Sequence, residues 1–501
     1  MAIVGRKCLV LNVTPELKLN QIVVAILIVF ALPFTALAAD RGLDDETCFS
    51  CHDTIRQEQF AASIHALNGC TSCHSDVAEI PHSIKPSAVD CSVCHEEQAK
   101  AYQKGVHGQA LAAGKRDAPV CADCHGEHFI KSRLDPASKT YPTAISTQIC
   151  AQCHASERIA TKYHLPLDRV KTYLDSYHGL ASKFGVVTVA NCASCHGAHE
   201  ILPSNDPRSS VHKKNLAQTC GKCHPGVGTQ IAKGNIHVAP TAAENRIVFY
   251  VSRFYVILIT FVIGGMLIHN ILDFLSKLRK HYAKKKQSDV YPRFTIGERI
   301  QHLVLTVVFI ILAYTGFALK YPEAWWAFPF TSFEGAGDWR GRIHRASAII
   351  FVALSIHHLI FMSFTKRGRR IGKELALRKK DFRDLKATLR YDLGKAEKPH
   401  YESYSYVEKF EYGALMWGSM IMILTGTMLT FENLAMKYLP KWSLDVATAI
   451  HFYEAVLATL AILVWHFYFV IFDPDHYPMN WSMVSGKVSE KEKAMDDQSK
   501  G

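Results

Sequence analysis

The sequence predicts two parts of different fold classes. Between residues 48 and 224 a short cysteine and histidine motif occurs seven times, which favours short helices joined by long irregular connections. Between residues 247 and 472 lie five long apolar runs, which favour an all-α transmembrane bundle of five spans. The length of 501 residues suggests two or three domains, and an apolar content of 49% excludes a disordered or fibrous chain.

Fourteen of the fifteen cysteines form Cys-x-x-Cys pairs, and each pair is followed at once by a histidine. The pairs are Cys48 with Cys51, Cys70 with Cys73, Cys91 with Cys94, Cys121 with Cys124, Cys150 with Cys153, Cys192 with Cys195, and Cys220 with Cys223. The histidines that follow are His52, His74, His95, His125, His154, His196 and His224. Two thiols at this spacing add to the vinyl groups of one haem, and the adjacent imidazole ligates the iron. Zinc sites and redox disulfides also use Cys-x-x-Cys, but neither requires the histidine every time, so we expect seven c-type haems.

The N-terminus predicts export of this part. Residues 22–38 are uncharged and mostly apolar, follow three basic residues and end in Ala-Leu-Ala, as in a secretory signal. The apolar run is long for a signal, so an uncleaved anchor is the alternative. Because c-type haem is attached outside the cytoplasmic membrane, we expect 1–39 to be a signal or anchor and 40–245 to be a periplasmic heptahaem domain. We assign no function to Cys8, the fifteenth cysteine.

An internal repeat with an offset of 71 residues selects candidate distal haem ligands. His107 and His178 each lie fourteen residues before the first cysteine of a motif, and both motifs continue as Cys-His-Gly-x-His, which adds His128 and His199. A further motif follows in each unit. The pattern indicates a duplicated two-haem module, and we expect the recurring histidines to be distal ligands.

Nine histidines between residues 40 and 245 lie outside the motifs, and seven haems with two histidines each need seven of them. The predicted distal set is His65, His82, His107, His128, His178, His199 and His212, with His164 and His237 left over. About 205 residues around seven haems are too few for an ordinary apolar core, so we expect the haems to form the core. Every motif ends in histidine, which favours electron relay over catalysis at a c haem.

The second part is expected to cross a membrane. Five runs are long enough for a hydrocarbon core of about 30 Å: 247–272, 299–319, 343–364, 409–431 and 446–472. Loops 277–299 and 366–398 carry eight and thirteen Lys/Arg, and the other two loops carry few. The positive-inside rule therefore places the two basic loops and the tail 473–501 in the cytoplasm, and residue 246 outside.

The charge distribution argues against nucleic acid as a partner. The net charge is −1 for residues 40–245 and +11 for 246–501, out of +12 in total. The surplus lies in the part that carries the apolar runs, so the lipid bilayer is the expected partner.

Histidines in the spans are regularly spaced. His344 and His358 are fourteen residues apart in the third span, and His451 and His466 are fifteen apart in the fifth. Each pair lies on one side of its helix and is separated by about 21–22 Å along the axis. Two such helices side by side would hold two b-type haems, one near each membrane face.

Residues 293–472 resemble the diheme cytochrome b subunits of formate dehydrogenases and nickel-iron hydrogenases. The resemblance rests on Arg293-Phe294-Thr295, Glu298-Arg299 with His302, Thr315-Gly316, Arg342-Ile343-His344, His451 and Trp465-His466-Phe467-Tyr468. It implies His344 with His451 at the outer haem and His302 with His466 at the inner haem. Periodicity alone selects His358 in place of His302. Both stay open, with His302 preferred because the family motif surrounds it.

The segment 246–292, which contains the first span, is an addition to the four-helix family pattern, and we expect it to tether the haem domain. A multihaem c domain fused to such a membrane domain is similar to the inner-membrane quinone cytochromes of metal-respiring bacteria. That resemblance implies quinone as substrate, in anaerobic or extracellular respiration. The seven haem c follow from the motif count and the two haem b from the paired histidines of the spans.

The leading hypothesis is an inner-membrane quinol:cytochrome c-type oxidoreductase that passes electrons to a periplasmic c-type cytochrome or reductase. A non-catalytic membrane subunit wiring a larger complex, the reverse reaction of quinone reduction, and a soluble-substrate reductase are the alternatives. Candidate quinone-site residues near the cytoplasmic ends of the spans are His269, Asn270, Asp273 and His357. The rival is Glu454, one helical turn from His451 and near the outer haem.

Overall fold

The computed structural model describes residues 44–82, 85–237, 245–280, 290–333, 335–397, 399–401, 404–475, 477 and 479–489. The expected signal or anchor 1–39 and Cys8 lie outside these residues, as do residues 490–501 of the tail 473–501. The chain divides into two compact units, residues 1–90 and 91–501, and each is described by itself.

The first unit contains two of the seven motifs on short helical turns. Its helices are α1 (Asp45–Cys51), α2 (Gln57–Ala61) and a 3₁₀ turn, Ala66–Asn68. Asp44 caps α1 by accepting the backbone N–H of Glu46, and the Asp45 carboxylate accepts the backbone N–H of Cys70 at 2.7 Å. The second motif is thereby fixed to the start of the first.

The second unit begins with a motif-bearing part, residues 91–237, made of short helices. The α-helices are Glu96–Lys104 (α3), Val106–Ala112 (α4), Cys121–His125 (α5), Pro142–Ala144 (α6), Ala151–His154 (α7), Glu157–Tyr163 (α8), Asp168–Leu174 (α9), Tyr177–Lys183 (α10), Cys192–His196 (α11) and Leu216–Gly221 (α12). A π-helix covers Ile145–Cys150, and 3₁₀ turns cover Cys91–Val93 and Thr229–Ala232. Cysteines three residues apart on such a turn share one side with the histidine that follows.

The 71-residue repeat recurs in the packing. Helices α4 and α5 correspond to α10 and α11, and a Cβ on Gly108 or Gly179 would collide with the carbonyl oxygen of Tyr102 or Tyr173, respectively. Each of these tyrosines donates its hydroxyl hydrogen bond seventeen residues onward, to Pro119 at 2.6 Å and to Ala190 at 3.0 Å. Equivalent glycines and tyrosines therefore position equivalent motifs.

Apolar side chains supply little of the core in residues 91–237. Ten are buried: Ala144, Ile159, Ala160, Val170, Leu180, Ala181, Phe184, Leu202, Leu216 and Ile231. Most others are partly exposed, so a protein-only core is thin for a segment of this length.

Five helices of the second unit are long and apolar enough to cross a membrane, as expected. They are α13 (Arg246–Lys280), α14 (Ile296–Lys320), α15 (Ala336–Phe364), α18 (Tyr406–Thr430) and α20 (Lys441–Ala461), the last continued by π-helices Ile462–His466 and Tyr468–Phe472. A 3₁₀ turn, Trp325–Phe330, joins α14 to α15. Helix α14 packs on α15, and α20 packs on both α13 and α18.

Polar elements cover one end of these helices. Helices α16 (Lys366–Leu375) and α17 (Lys379–Asp392) lie between α15 and α18, and α19 (Glu432–Tyr438) joins α18 to α20 at the other end. Beyond α20, a turn α21 (Ser482–Ser485) leads into strand β2 (Lys487–Ser489), which pairs antiparallel with β1 (Val290–Pro292), Tyr291 opposite Val488.

Candidate functional site

The motif cysteines are free thiols on short turns that share one backbone feature. In the first, second, third and seventh motifs the backbone N–H of the histidine donates to the carbonyl of the first cysteine at 2.9–3.0 Å. The second cysteines differ in exposure: Cys51, Cys73, Cys94 and Cys223 are exposed, and Cys124, Cys153 and Cys195 are partly buried.

The exposure of the second cysteines follows the local structure of their motifs. Cys73, Cys94 and Cys223 lie outside the apolar core because their motifs lie on open turns, and Cys153, on α7, is only partly covered. Among the described residues none of the four forms a disulfide or joins a cluster of metal ligands. Their attachment to haem therefore stays a prediction of the motif spacing.

Imidazole rings of the motif-bearing parts meet in pairs. In the first unit His52 lies against His82, with ring centres 5.9 Å apart and planes 7° apart. In the second unit the pairs are His125–His199 at 6.1 Å, His154–His107 at 6.3 Å, His196–His237 at 6.3 Å and His224–His178 at 6.1 Å. Each pair joins the histidine of a Cys-x-x-Cys-His motif to one outside the motifs.

These separations fit a metal between two imidazoles. Each metal–nitrogen bond is about 2.0 Å long, and each nitrogen lies about 1.1 Å from the centre of its ring. Two imidazoles on opposite sides of one metal therefore have ring centres about 6.2 Å apart. Among the described residues, His, Cys, Asp and Glu do not converge in threes or fours as ligands of a bare metal ion. Burial lowers the pKa of His107 and of His154, which favours the neutral imidazole that binds metal.

The structure brings together four members of the predicted distal set, namely His82, His107, His178 and His199, each with a motif histidine. His212, also predicted, instead accepts the backbone N–H of Lys214 at its Nδ1 at 3.3 Å. His237, which the sequence left over, lies opposite His196. The distal partners of His74 and His95 stay predictions, with His65 and His128 among the candidates.

His237 is held in the orientation a ligand needs. Its Nδ1 lies 3.1 Å from Thr172 Oγ1, and that hydroxyl donates to the carbonyl of Arg169 at 3.0 Å. The hydroxyl must then accept from Nδ1–H, which leaves Nε2 unprotonated toward His196. His237 follows its motif histidine by 41 positions and lies outside the repeat, so no sequence pattern pointed to it.

In the membrane part, His344 on α15 and His451 on α20 are oriented by the same device. His344 Nδ1 lies 2.8 Å from Thr315 Oγ1, and His451 Nδ1 lies 2.9 Å from Thr425 Oγ1. Each threonine hydroxyl donates to a carbonyl one turn earlier in its own helix at 2.7 Å, so it accepts the imidazole N–H. Both Nε2 atoms are left free for a metal.

A glycine follows each of these threonines and leaves room for the ring. A Cβ on Gly316 would lie 3.5 Å from His344 Cε1, and one on Gly426 would lie 3.2 Å from His451 Cε1. In each Thr-Gly dipeptide the threonine orients an imidazole, and the glycine lets the helix that carries this imidazole approach closely.

The structure places His302, rather than His358, opposite His466. The His302 and His466 ring centres are 6.2 Å apart, and His466 Nδ1–H donates to Glu411 Oε1 at 2.6 Å. His358 instead faces Tyr412, with 3.1 Å between Nε2 and Oη, and its Nδ1 lies 3.4 Å from Gln301 Oε1. Periodicity favoured His358 because it treated each helix in isolation and could not show which faces meet.

The two helical hairpins repeat each other, which explains this arrangement. Capping boxes start α14 at Thr295 and α18 at Ser405, an offset of 110 residues that also relates the two Thr-Gly pairs. At the same offset Tyr412 replaces His302. The π-helix Ile462–His466 absorbs the extra residue in the fifth span, so His466 occupies the place that His358 has in the other hairpin.

The predicted quinone-site residues separate into three places. His269, Asn270 and Asp273 are buried together where α13 packs on the end of α20. His357 lies elsewhere, 3.3 Å from the side-chain nitrogen of Gln301 on α14. Glu454 is buried near the middle of the fifth span, three residues after His451, and accepts the Tyr255 hydroxyl at 3.0 Å.

Buried polar atoms without a partner mark the first of these places. His269 Nδ1, Asn270 Oδ1 and Trp465 Nε1 make no hydrogen bond. The rings of His269 and Trp465 are 4.9 Å apart, and Trp465 precedes His466 in the chain. His269 Nε2, in contrast, lies 2.6 Å from the Tyr406 hydroxyl. Unsatisfied buried polar groups are costly, so these three atoms are candidate contacts for a polar molecule. Sequence reasoning missed Trp465, which has the residue type of an apolar core position.

Next to these residues, a chain of charged groups runs along α13. Asp273 Oδ2 accepts the Tyr468 hydroxyl at 2.6 Å and lies 2.9 Å from Lys277 Nζ. Lys277 in turn lies 2.8 Å from Asp473, at the end of the fifth span.

The motif-bearing part of the second unit docks on the membrane part through its last motif. His224 Nδ1–H donates to Asn433 Oδ1 on α19 at 2.9 Å. Leu216 and Ile231 pack with Met436 in one buried cluster, and Lys183 pairs with Glu323 at 2.8 Å. The pair His178–His224 is thus the one fixed against the start of α20, the helix that carries His451.

Paired, oriented histidines inside an apolar helical bundle define a membrane cytochrome of the b type. Residues 293–486 match the family model of the prokaryotic cytochrome b561, and the match includes His302, His344, His451 and His466. No curated protein matches the chain. Residues 293–486 therefore form a b-type cytochrome domain of membrane electron transfer, as the resemblance implied.

Proposed function

We propose that the protein is a quinol oxidoreductase of the bacterial inner membrane that passes electrons through two b haems and seven c haems to a periplasmic carrier. The main observation that supports this proposal is that the segment around His224 packs on the helix next to the one that carries His451. This contact supports a path for electrons from the membrane part to the motif-bearing part of the second unit.

We assign the b haems to His344 with His451 and to His302 with His466. For five c haems the second ligands are His82, His199, His107, His237 and His178, in the order of their motifs. Each haem, when bound, supplies an iron that takes up and releases one electron. The protein supplies fixed ring orientation through Thr315, Thr425, Thr172 and the Glu411 carboxylate.

The quinone head group is proposed to bind at His269, Asn270 and Trp465. Their unpartnered atoms offer one acceptor, one donor and one imidazole nitrogen, which suit the hydroxyl or carbonyl oxygens of a quinol or quinone. A row of titratable side chains, Asp273, Lys277 and Asp473, extends from these residues to the end of the bundle. A proton that His269 accepts from quinol can be transferred along this row.

Glu454 is the rival site, because its buried carboxylate lies near His451 and bonds only to Tyr255 among the hydrogen bonds described for it. A proton released there would leave on the side of the motif-bearing part. The two placements give opposite proton destinations and are separable by mutation.

The test measures haem reduction by a soluble quinol in the purified protein and compares His269→Gln, His357→Gln and Glu454→Gln. All three variants must retain both b haems by pyridine haemochrome. We expect the rate to fall in His269→Gln and to be retained in the other two. Loss in Glu454→Gln alone would move the site to the outer end, and unaltered protein that takes no electrons from quinol would support the wiring-subunit alternative.

A further inference from the structure

Arg340 is a buried cation that pairs with no anion among the described residues. It lies on α15 one helical turn before His344 and is only 7% exposed. Among the described residues no carboxylate forms an ion pair with it, although Asp338 lines the same cleft. Its Nε is buried and makes no hydrogen bond.

Such a group is unfavourable without a partner. Burying an unpaired charge costs several kcal/mol in real proteins, so about that much must be returned by something that binds the guanidinium. Arg345 lines the same cleft and adds a second positive charge. The cleft therefore has the chemistry of a carboxylate site, because the planar guanidinium fork matches a carboxylate in a two-bond arrangement.

The position of Arg340 identifies which carboxylate. Its Nη1 donates to the carbonyl oxygen of Thr315 at 3.0 Å, and the hydroxyl of Thr315 orients the His344 ring. Its other side faces Phe184 of the motif-bearing part, with 5.5 Å from Cζ to the ring centre. Arg340 thus lies at the edge of the outer haem pocket, between His344 and the neighbouring c-type module.

We propose that Arg340 binds a propionate carboxylate of the outer b haem and raises the reduction potential of that haem. This inference rests on the proposed haem between His344 and His451. A fixed positive charge stabilises the additional electron of the reduced haem, so its removal lowers the potential. The residue therefore adjusts the last b haem before electrons enter the motif-bearing part.

The experiment is an optical redox titration of the purified full-length protein and of the variants Arg340→Gln, Arg340→Lys and Arg342→Gln. Arg342 is the matched control, because it lies on the same helix but is exposed, with its guanidinium 5.5 Å above the Trp339 ring. We expect Arg340→Gln to lower the midpoint potential of one b haem, Arg340→Lys to lower it less, and Arg342→Gln to leave both unchanged. Two unchanged b potentials in Arg340→Gln, with both haems bound, would overturn the proposal.

Loss of the outer haem in Arg340→Gln calls for a second measurement, because Arg340 also bonds Thr315. The b haems of the unaltered protein are then exchanged for haem or for its dimethyl ester, which lacks the carboxylates. Weaker retention of the diester at one site supports the proposal, and equal retention contradicts it. A potential that follows the buffer anion concentration would assign Arg340 to a dissolved anion and also contradict it. If pyridine haemochrome shows no b haem at all, the proposed function fails before Arg340 is in question.

Discussion

Single hydroxyl groups set the orientation of the outer imidazoles. Thr315 and Thr425 each accept one imidazole N–H and donate to a carbonyl of their own helix. The protonated nitrogen is therefore Nδ1 in both His344 and His451. No other side chain is needed to present the two Nε2 atoms. The role of these residues is therefore testable without altering a ligand.

We expect Thr315→Val to weaken retention of one b haem by about 10–100-fold, the usual effect of losing such an outer hydrogen bond. Thr315→Ser keeps the hydroxyl and should retain the haem. Haem loss during detergent washing, followed by absorbance, measures the effect. Equal retention in the valine and serine variants would show that the bond is dispensable.

The choice between His302 and His358 is also decided at single residues. We expect His302→Ala to lose one b haem and His358→Ala to keep both, because only His302 faces His466. Extraction of the non-covalent haem with acid acetone counts the b haems of each variant. Retention of both in His302→Ala, with loss in His358→Ala, would reverse the assignment.

Among the secondary-structure elements, helix α17 is attached to the bundle by a buried ion pair and by apolar contacts of Phe382 and Leu385. Lys409 Nζ lies 2.9 Å from Asp381 Oδ1, and both side chains are almost fully buried. Since removal of one partner leaves a buried charge, we expect Asp381→Ala to destabilise the protein by about 3–5 kcal/mol. Detergent unfolding followed by tryptophan fluorescence gives the value, and the double variant Asp381→Leu/Lys409→Met should recover most of it.

Helix α8 is attached to the turn before the fourth motif by Asp117. Lys162, Tyr163 and Arg158 all bond its carboxylate and hold its pKa well below the usual range. A lowered pKa stabilises the fold above the ordinary carboxyl pKa of about 4, and the effect is lost as the pH falls toward the native pKa. We expect Asp117→Asn to lower Tm at pH 7 and the difference to shrink below pH 4. A difference independent of pH would assign the effect to packing.

Element-level features divide into those the sequence predicts and those it cannot. The five spans and seven motifs follow from local patterns, since apolar run length and Cys-x-x-Cys-His spacing are properties of one segment. The pairing of His237 with His196 and of His302 with His466 depends on which helix faces meet. That information lies in the packing of the helices. The same is true of the missing hydrogen bond at Trp465 Nε1.

Across the whole molecule, the proposed position of the quinone site determines how the proposed reaction would respond to membrane voltage. If the basic loops lie in the cytoplasm, as the sequence predicts, oxidation of quinol at His269 would leave protons inside while electrons cross to the positive side. That path dissipates about 2.3 kcal/mol per charge per 100 mV.

In vesicles of uniform orientation with the outer face positive, we therefore expect an uncoupler to slow quinol oxidation. The measurement is the rate of c-haem reduction with and without the voltage. Oxidation at Glu454 would give a rate that ignores the voltage, because charge then crosses little of the bilayer.

The pairing of His199 with His125 has a consequence for biogenesis. His125 belongs to the first copy of the 71-residue module and His199 to the second. If this part is exported, as the sequence predicts, the imidazole opposite His125 leaves the export channel 74 residues after it. His154 and His224, by contrast, pair with residues that have already emerged. In the proposed ligation, the haem at His125 must wait for a ligand that follows its motif, whereas the haems at His154 and His224 need not wait. The haems therefore mature in a different order from their motifs, and the first module is complete only after the second has emerged.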